Sequence, residues 1–348
     1  MAIVRRSILS LLTTAALLAA SPAAAAGQAS FKDWSAVCDN LNPCVAFAWP
    51  KDEGEIAWLR LERKGDAGAP VKAVIAVYAE DDLVVGGGPW TLTIDGKAVP
   101  GLGTLTPAQD GTGFWRAEIP VTAGRPLAIA ARDGAVLTLN RKASVPITLS
   151  LAGGGATMIW IDEQQARVGS PTALSRAAGR PSAVIAPVPP TIAAGPVAPQ
   201  TGLPAAVPAS AMAVAGDCDD PAVAPPEAII ARLAPGLVLY APVCSRGAYN
   251  AVYSLVLADE RGRGARVIRL PQGFGAATIS DPMNIDYDPA SRVLSSFSKG
   301  RGLGDCGDET QWVWDGQAFQ VLISRVMAEC RGVPFDDWPT LFQASVRP

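Results

Sequence analysis

The chain contains no histidine. This absence excludes the most: no Ser-His-Asp triad, no Cys-His dyad, no imidazole metal ligand and no side chain that ordinarily titrates near neutrality. No pair of cysteines has the CxxC spacing, which removes the usual signatures of zinc ribbons and dithiol redox centres. Charged residues are sparse, at 18% of the 348 residues, and slightly acidic on balance, with 29 Lys and Arg against 32 Asp and Glu. An acidic chain has no electrostatic case for nucleic acid. The one run that invites a membrane reading, Ile8–Ala20, has thirteen residues. That is short of the roughly 20 needed to span a bilayer.

The first 26 residues read instead as a secretory leader. Arg5 and Arg6 precede that apolar run, and a string of alanines follows Pro22, with a cut expected after Ala26. Removing the two arginines leaves 27 basic against 32 acidic residues, a net charge of −5. The expectation is a periplasmic protein with no transmembrane anchor after cleavage. Hydrophobic residues make up 49%, enough to bury a real core.

Residues 181–215 stand apart, with eight Pro, eleven Ala and no charge. They read as a semi-rigid Pro/Ala-rich linker, on the order of 100 Å long if fully stretched. The expected layout is therefore a leader (1–26), an N-terminal β-rich domain (27–180), the linker (181–215) and a C-terminal disulfide-stapled β-rich domain (216–348). In the N-terminal half, apolar runs at Ile56–Leu61, Val71–Tyr78, Trp90–Ile94, Val136–Leu139, Val145–Leu151 and Thr157–Ile161 alternate with turn residues, the rhythm of a sandwich or barrel. Asp95-Gly96 signals a two-residue hairpin. Ser170, Pro171 and Gly179 bracket a short helix. In the C-terminal half a short helix over 226–234 is expected before strands at Leu237–Ala241, Tyr249–Ala258, Arg266–Leu270, Ile285–Tyr287 and Val293–Ser298. A hairpin over 311–322 turns at Asp315-Gly316 and sets Trp314 opposite Gln317 and Trp312 opposite Phe319. The fold class is mainly β, with a sandwich-like N-terminal domain ending in a short helix and a C-terminal antiparallel β meander.

Six cysteines in an exported chain read as disulfides. If none crosses the linker, Cys38 must pair with Cys44. Cys218, Cys244, Cys306 and Cys330 then allow three arrangements, of which the nearest-neighbour pairs Cys218–Cys244 and Cys306–Cys330 are favoured. Neither metal nor cofactor is expected.

The stretch Lys299–Gly307 (KGRGLGDCG) is the most site-like. Its four glycines allow close backbone approach, and Lys299, Arg301 and Asp305 supply charge. The commoner reading of such a stretch is a tight solvated loop pinned by Cys306. Trp312 and Trp314, with Phe319, form either a ligand-stacking face or part of the core. The acids Asp281, Asp286, Asp288, Asp305, Asp308 and Glu309 raise calcium binding or a glycosidase carboxylate pair, against the commoner reading of solvated turns.

Several segments together resemble an exported bacterial family, the domain of unknown function 1176. They are Phe31–Asn40 (FKDWSAVCDN), Cys244–Asn250 (CSRGAYN), Lys299–Gly307, Trp312–Gly316 (WVWDG) and Trp338–Thr340 (WPT). The N-terminal half is also faintly similar to invasion-associated locus B proteins. The resemblance implies export and a two-part layout and brings no catalytic residue. The expected function is a binding or interaction module for an envelope component or protein partner, a hydrolase inhibitor being one version. The alternative is a carboxylate-based hydrolase acting on envelope glycan.

Overall fold

A computed structural model describes residues 27–347 apart from 52–53, 80–87, 142–143, 182–183, 185–186, 219–220 and 274–276. The leader and its cut after Ala26 lie outside the described residues. The fold is mainly β, as the alternation of apolar runs and turns implies.

The N-terminal half is built on a seven-stranded antiparallel sheet. Its spatial order is Gly27–Phe31, Trp34–Cys38, Cys44–Ala48, Ala57–Arg63, Val71–Tyr78, Phe114–Ile119 and Ala108–Gln109. The central strands are apolar on both faces because both faces are covered. On one face, Val71, Ala73, Ile75 and Val77 pack under a four-stranded sheet and two helices, Val121–Asp133 and Gly154–Gln164. The intervening Val74 and Ala76 point the other way, into a second cluster. Asp95-Gly96 makes the expected tight turn, with φ of 50° and 74°.

The helices correct three expectations. Thr157–Ile161 is helical, not extended: its buried residues fall at 154, 157, 158, 161 and 162, the spacing of one helix face. The helix Val121–Asp133 was not expected, since Gly124 and Pro126 break its local propensity. No helix forms over 170–179. The buried carboxylate of Asp162 takes the N–H groups of Leu174 and Ser175 and the Ser175 hydroxyl, and holds the chain in turns. Asp162 also pairs with buried Arg63, at 2.7 Å. Burial of the Arg63 guanidinium outweighs the support of Asp162 and brings its pKa down to about 10.

The C-terminal half holds a four-stranded sheet (Ile229–Ala234, Leu237–Ala241, Val256–Ala258, Arg266–Val267) and a five-stranded sheet (Asp286–Asp288, Val293–Lys299, Gly307–Trp314, Phe319–Met327, Thr340–Gln343). The helix expected over 226–234 is instead the strand Ile229–Ala234, whose buried Ala231 and Leu233 alternate with less buried neighbours. The hairpin of the five-stranded sheet forms with its turn one residue later than expected. Asp315 N–H bonds the Ala318 carbonyl, and Gly316 alone takes positive φ, at 100°. That turn sets Trp314 opposite Phe319 and Trp312 opposite Val321, and a bulge at Gln311/Trp312 shifts the register only beyond them, where Gln311 faces Ile323.

The three disulfides are Cys38–Cys44, Cys218–Cys244 and Cys306–Cys330. The Pro/Ala segment is seated along the C-terminal half. Thr191–Ala193 pairs in parallel with Ser345–Arg347, and the helix Ala209–Ala215 packs on the strands at 256–258 and 266–267. Small uncharged side chains let it lie this close: a Cβ on Gly195 would stand 2.6 Å from the Gly316 nitrogen.

The halves also share an aromatic cluster. Phe47, Trp58 and Phe114 from the N-terminal sheet meet Phe297 and Met327 from the five-stranded C-terminal sheet and Trp338 from the connection before its last strand. Full burial of each such side chain contributes roughly 1.5–3 kcal/mol. Arg116 adds an ion pair to Asp337 at 2.6 Å. Asn40 and Gln343 exchange two hydrogen bonds, each at 2.9 Å.

Candidate functional site

The loop from Lys299 to Gly307 joins two long strands of the five-stranded sheet and emerges beside the shared cluster. Its base is closed three times. Gly300 N–H bonds the Cys306 carbonyl at 2.8 Å, and Cys306 is tied to Cys330. Asn250 then holds Lys299 from the neighbouring hairpin, with Nδ2 donating to the Lys299 carbonyl and Oδ1 accepting its N–H.

The apex is a turn in which Gly304 N–H returns to the Arg301 carbonyl at 2.9 Å. Arg301 reaches down to Asp305 in a two-pronged pair, with Nε–Oδ1 at 2.7 Å and Nη2–Oδ2 at 2.5 Å. Asp305 is buried and also accepts Gly332 N–H at 2.7 Å. Burial alone pushes the Asp305 carboxyl upward. The hydrogen bonds from Arg301 and Gly332, with the Arg301 charge, overcome that push and hold it below the ordinary carboxylate value. Asp305 therefore fastens the loop as an anion and is a poor proton donor.

This bracing presents one apolar side chain to solvent. Leu303 is 70% exposed. A cleft of about 450 Å³ lies on one side of it, lined by Trp49, Glu55 and Ile56 from the N-terminal half and Arg301 and Arg331 from the C-terminal half. A second cleft, of about 490 Å³, lies on the other side, lined by Ser295, Phe297, Lys299, Glu309 and Gln311. Lys299 forms no ion pair among the described residues, and its stem runs beside Gly304. Glu309 is already engaged, by Arg325 at 2.8 Å and Gln311 at 2.6 Å. Gly332 sits where the first cleft meets the N-terminal half. Its φ is +78°, and a Cβ there would stand 2.2 Å from Cγ2 of Ile56.

Of the residues singled out in the sequence, Lys299, Arg301 and Asp305 are thus brought together. Trp312 and Trp314 are not: both lie in the core of the C-terminal half, 2% and 1% exposed. Trp312 Nε1 donates to the Pro271 carbonyl, and Trp314 meets Phe319 edge-on. A sheet face sealed by neighbouring strands offers no ring for stacking. Of the six acids singled out, Asp308 and Glu309 are successive strand residues and point to opposite faces, so these two do not face one another. Burial raises the Asp308 pKa, partly offset by a hydrogen bond from Ser298. Among the described residues, each of the two clefts is lined by a single carboxylate, Glu55 in the first and Glu309 in the second. The sequence reading missed Asn250, Tyr249 and Leu303 as members of the site. Tyr249 lies over the loop, with its hydroxyl 3.3 Å from the Gly300 carbonyl.

The segments that meet here, Cys244–Asn250 and Lys299–Gly307, are two of those carrying the family resemblance. A family model described as "Protein of unknown function (DUF1176)" matches residues 28–345. The chain belongs to the DUF1176 family. One relative is the uncharacterized protein YpfG of Escherichia coli (strain K12), 28% identical over 346 residues, covering 92% of this chain and 93% of that protein. No solved structure matches. The fainter likeness to invasion-associated locus B proteins is not shown by these comparisons. The braced loop is therefore the main guide to what this DUF1176 chain does. Among its described residues, no helix is long and apolar enough to cross a membrane.

Proposed function

We propose that this DUF1176 protein is an exported, periplasmic binding module that docks a protein partner through the Lys299–Gly307 loop. The observation that carries the reading is Leu303: a large apolar side chain held out to solvent on a loop whose conformation is already fixed. Exposed single hydrophobes are common, but a rigid one loses little conformational freedom on binding, so its burial goes more fully into affinity. The disulfides and the leader support an oxidising, exported setting.

The carboxylate-hydrolase alternative gains no support from the described residues, among which neither cleft beside the loop holds two carboxylates. The test is affinity capture from an envelope extract. Wild-type protein is expected to retain a partner that Leu303→Asp loses and that Val145→Asp, at an equally exposed site remote in sequence, keeps. A capture profile identical for all three overturns the reading.

A further inference from the structure

We infer that the Leu303 loop enters the acidic active-site cleft of a glycan hydrolase and inhibits the enzyme. The inference rests on the docking role proposed above and adds the class of partner. Three features on the loop specify it. The first is shape. The apex is narrow because Gly300, Gly302 and Gly304 flank its two large side chains, and a concavity of 450–490 Å³ lies on either side. A ridge between two hollows is the complement of a cleft between two lips, not of a flat surface. Enzyme active sites have that form.

The second feature is charge. The protein as a whole is acidic, yet Lys299 stands at the base of the ridge with no ion pair among the described residues. Of the nearby acids, Asp305 and Glu309 are each already committed to an arginine, and Glu55 lines the first hollow together with Arg301 and Arg331. The element presented to the partner is thus cationic, and a cleft that carries carboxylates is its electrostatic match. Glycosidases carry two such groups facing one bond. The third feature is Leu303 itself. It needs an apolar pocket, which a glycan chain does not offer, and a single leucine buries too little area to hold the protein on a lipid surface.

The experiment is inhibition of a panel of carboxylate-dependent glycan hydrolases, including a lysozyme and an inverting glycosidase, by the full mature chain. A serine protease serves as a control. At least one hydrolase is expected to be inhibited competitively and the protease not at all. Lys299→Glu should weaken inhibition by about 30-fold or more, the scale of a lost buried charge pair. Lys299→Arg should retain most of it, and Leu303→Asp should abolish it. Unchanged near-ultraviolet circular dichroism and an unchanged disulfide map show that each variant is folded. No inhibition of any hydrolase, or inhibition indifferent to Lys299→Glu, overturns the inference. If Leu303-dependent capture of a partner persists in that case, the docking reading stands and only the class of partner is wrong.

Discussion

Asn250 holds the backbone of Lys299 from both sides. Its Nδ2 donates to the Lys299 carbonyl at 2.9 Å, and its Oδ1 accepts the Lys299 N–H at 3.1 Å. One side chain thereby stands in for a β-bridge across 49 residues of sequence. Asn284 completes the clasp by donating to Asn250 Oδ1 and to the Phe297 carbonyl.

The clasp predicts that Asn250→Ala costs about 1–3 kcal/mol, the cost of leaving part-buried backbone groups unpaired. Urea denaturation measures that loss. Amide exchange should quicken at Lys299 while the strand at Val71–Tyr78 stays protected. Asn250→Asp should also weaken the clasp, because it keeps the acceptor for Lys299 N–H and removes the donor to its carbonyl.

The second brace is covalent. Replacing Cys306 and Cys330 together by serine should lower stability by about 3–4 kcal/mol, the chain-entropy value for a loop of this length. Partner capture should fall further than the populated folded fraction explains, because the Leu303 apex is then free to move. Peptide mapping without reductant should recover the three pairs described here.

Two carboxylates give opposite pH signatures. Asp305 has a lowered pKa in the folded protein. Its contribution is present above the unfolded carboxylate value, about 3.9, and is lost as pH falls through the folded value. Asp308 is raised, mainly by burial. As a partly buried anion it opposes folding at neutral pH, and that penalty is relieved as pH falls. Asp305→Asn should therefore be less stable than wild type at pH 7, and Asp308→Asn more stable, with both differences shrinking toward pH 3. Denaturant titrations across that range read the signs directly.

The contact between the halves predicts one cooperative calorimetric transition, not two, because Trp58 and Trp338 belong to the same buried cluster. Gly332→Ala should destabilise by about 1–3 kcal/mol, through positive φ and the clash with Ile56. Adding Ile56→Ala should recover only the part due to the clash. Two separate transitions would show that the halves fold independently.

Much of this architecture was legible in the sequence, and what was not has physical causes. Strands such as Val71–Tyr78 and Leu237–Ala241 declare themselves because they are apolar almost throughout, Lys72 excepted. Cys38–Cys44 follows if no bond crosses the Pro/Ala segment, whereas Cys218–Cys244 and Cys306–Cys330 are one of three arrangements the sequence leaves open. The helix at 154–164 was hidden because its apolar residues also fit a short strand, and only the spacing of 154, 157, 158 and 161 separates the two readings. Trp312 and Trp314 share a face in any register, but only the surrounding strands decide that this face is the core. The loop was visible as Lys299–Gly307, whereas its clasp by Asn250 and the two clefts beside Leu303 depend on contacts distant in sequence.

The most direct test places a photo-crosslinking amino acid at position 303 in the full chain and irradiates intact cells. A specific adduct with another protein from position 303, with none from the exposed control position 145, is the predicted result. No adduct at 303, or the same adducts from both positions, would contradict the claim that this loop is the docking element.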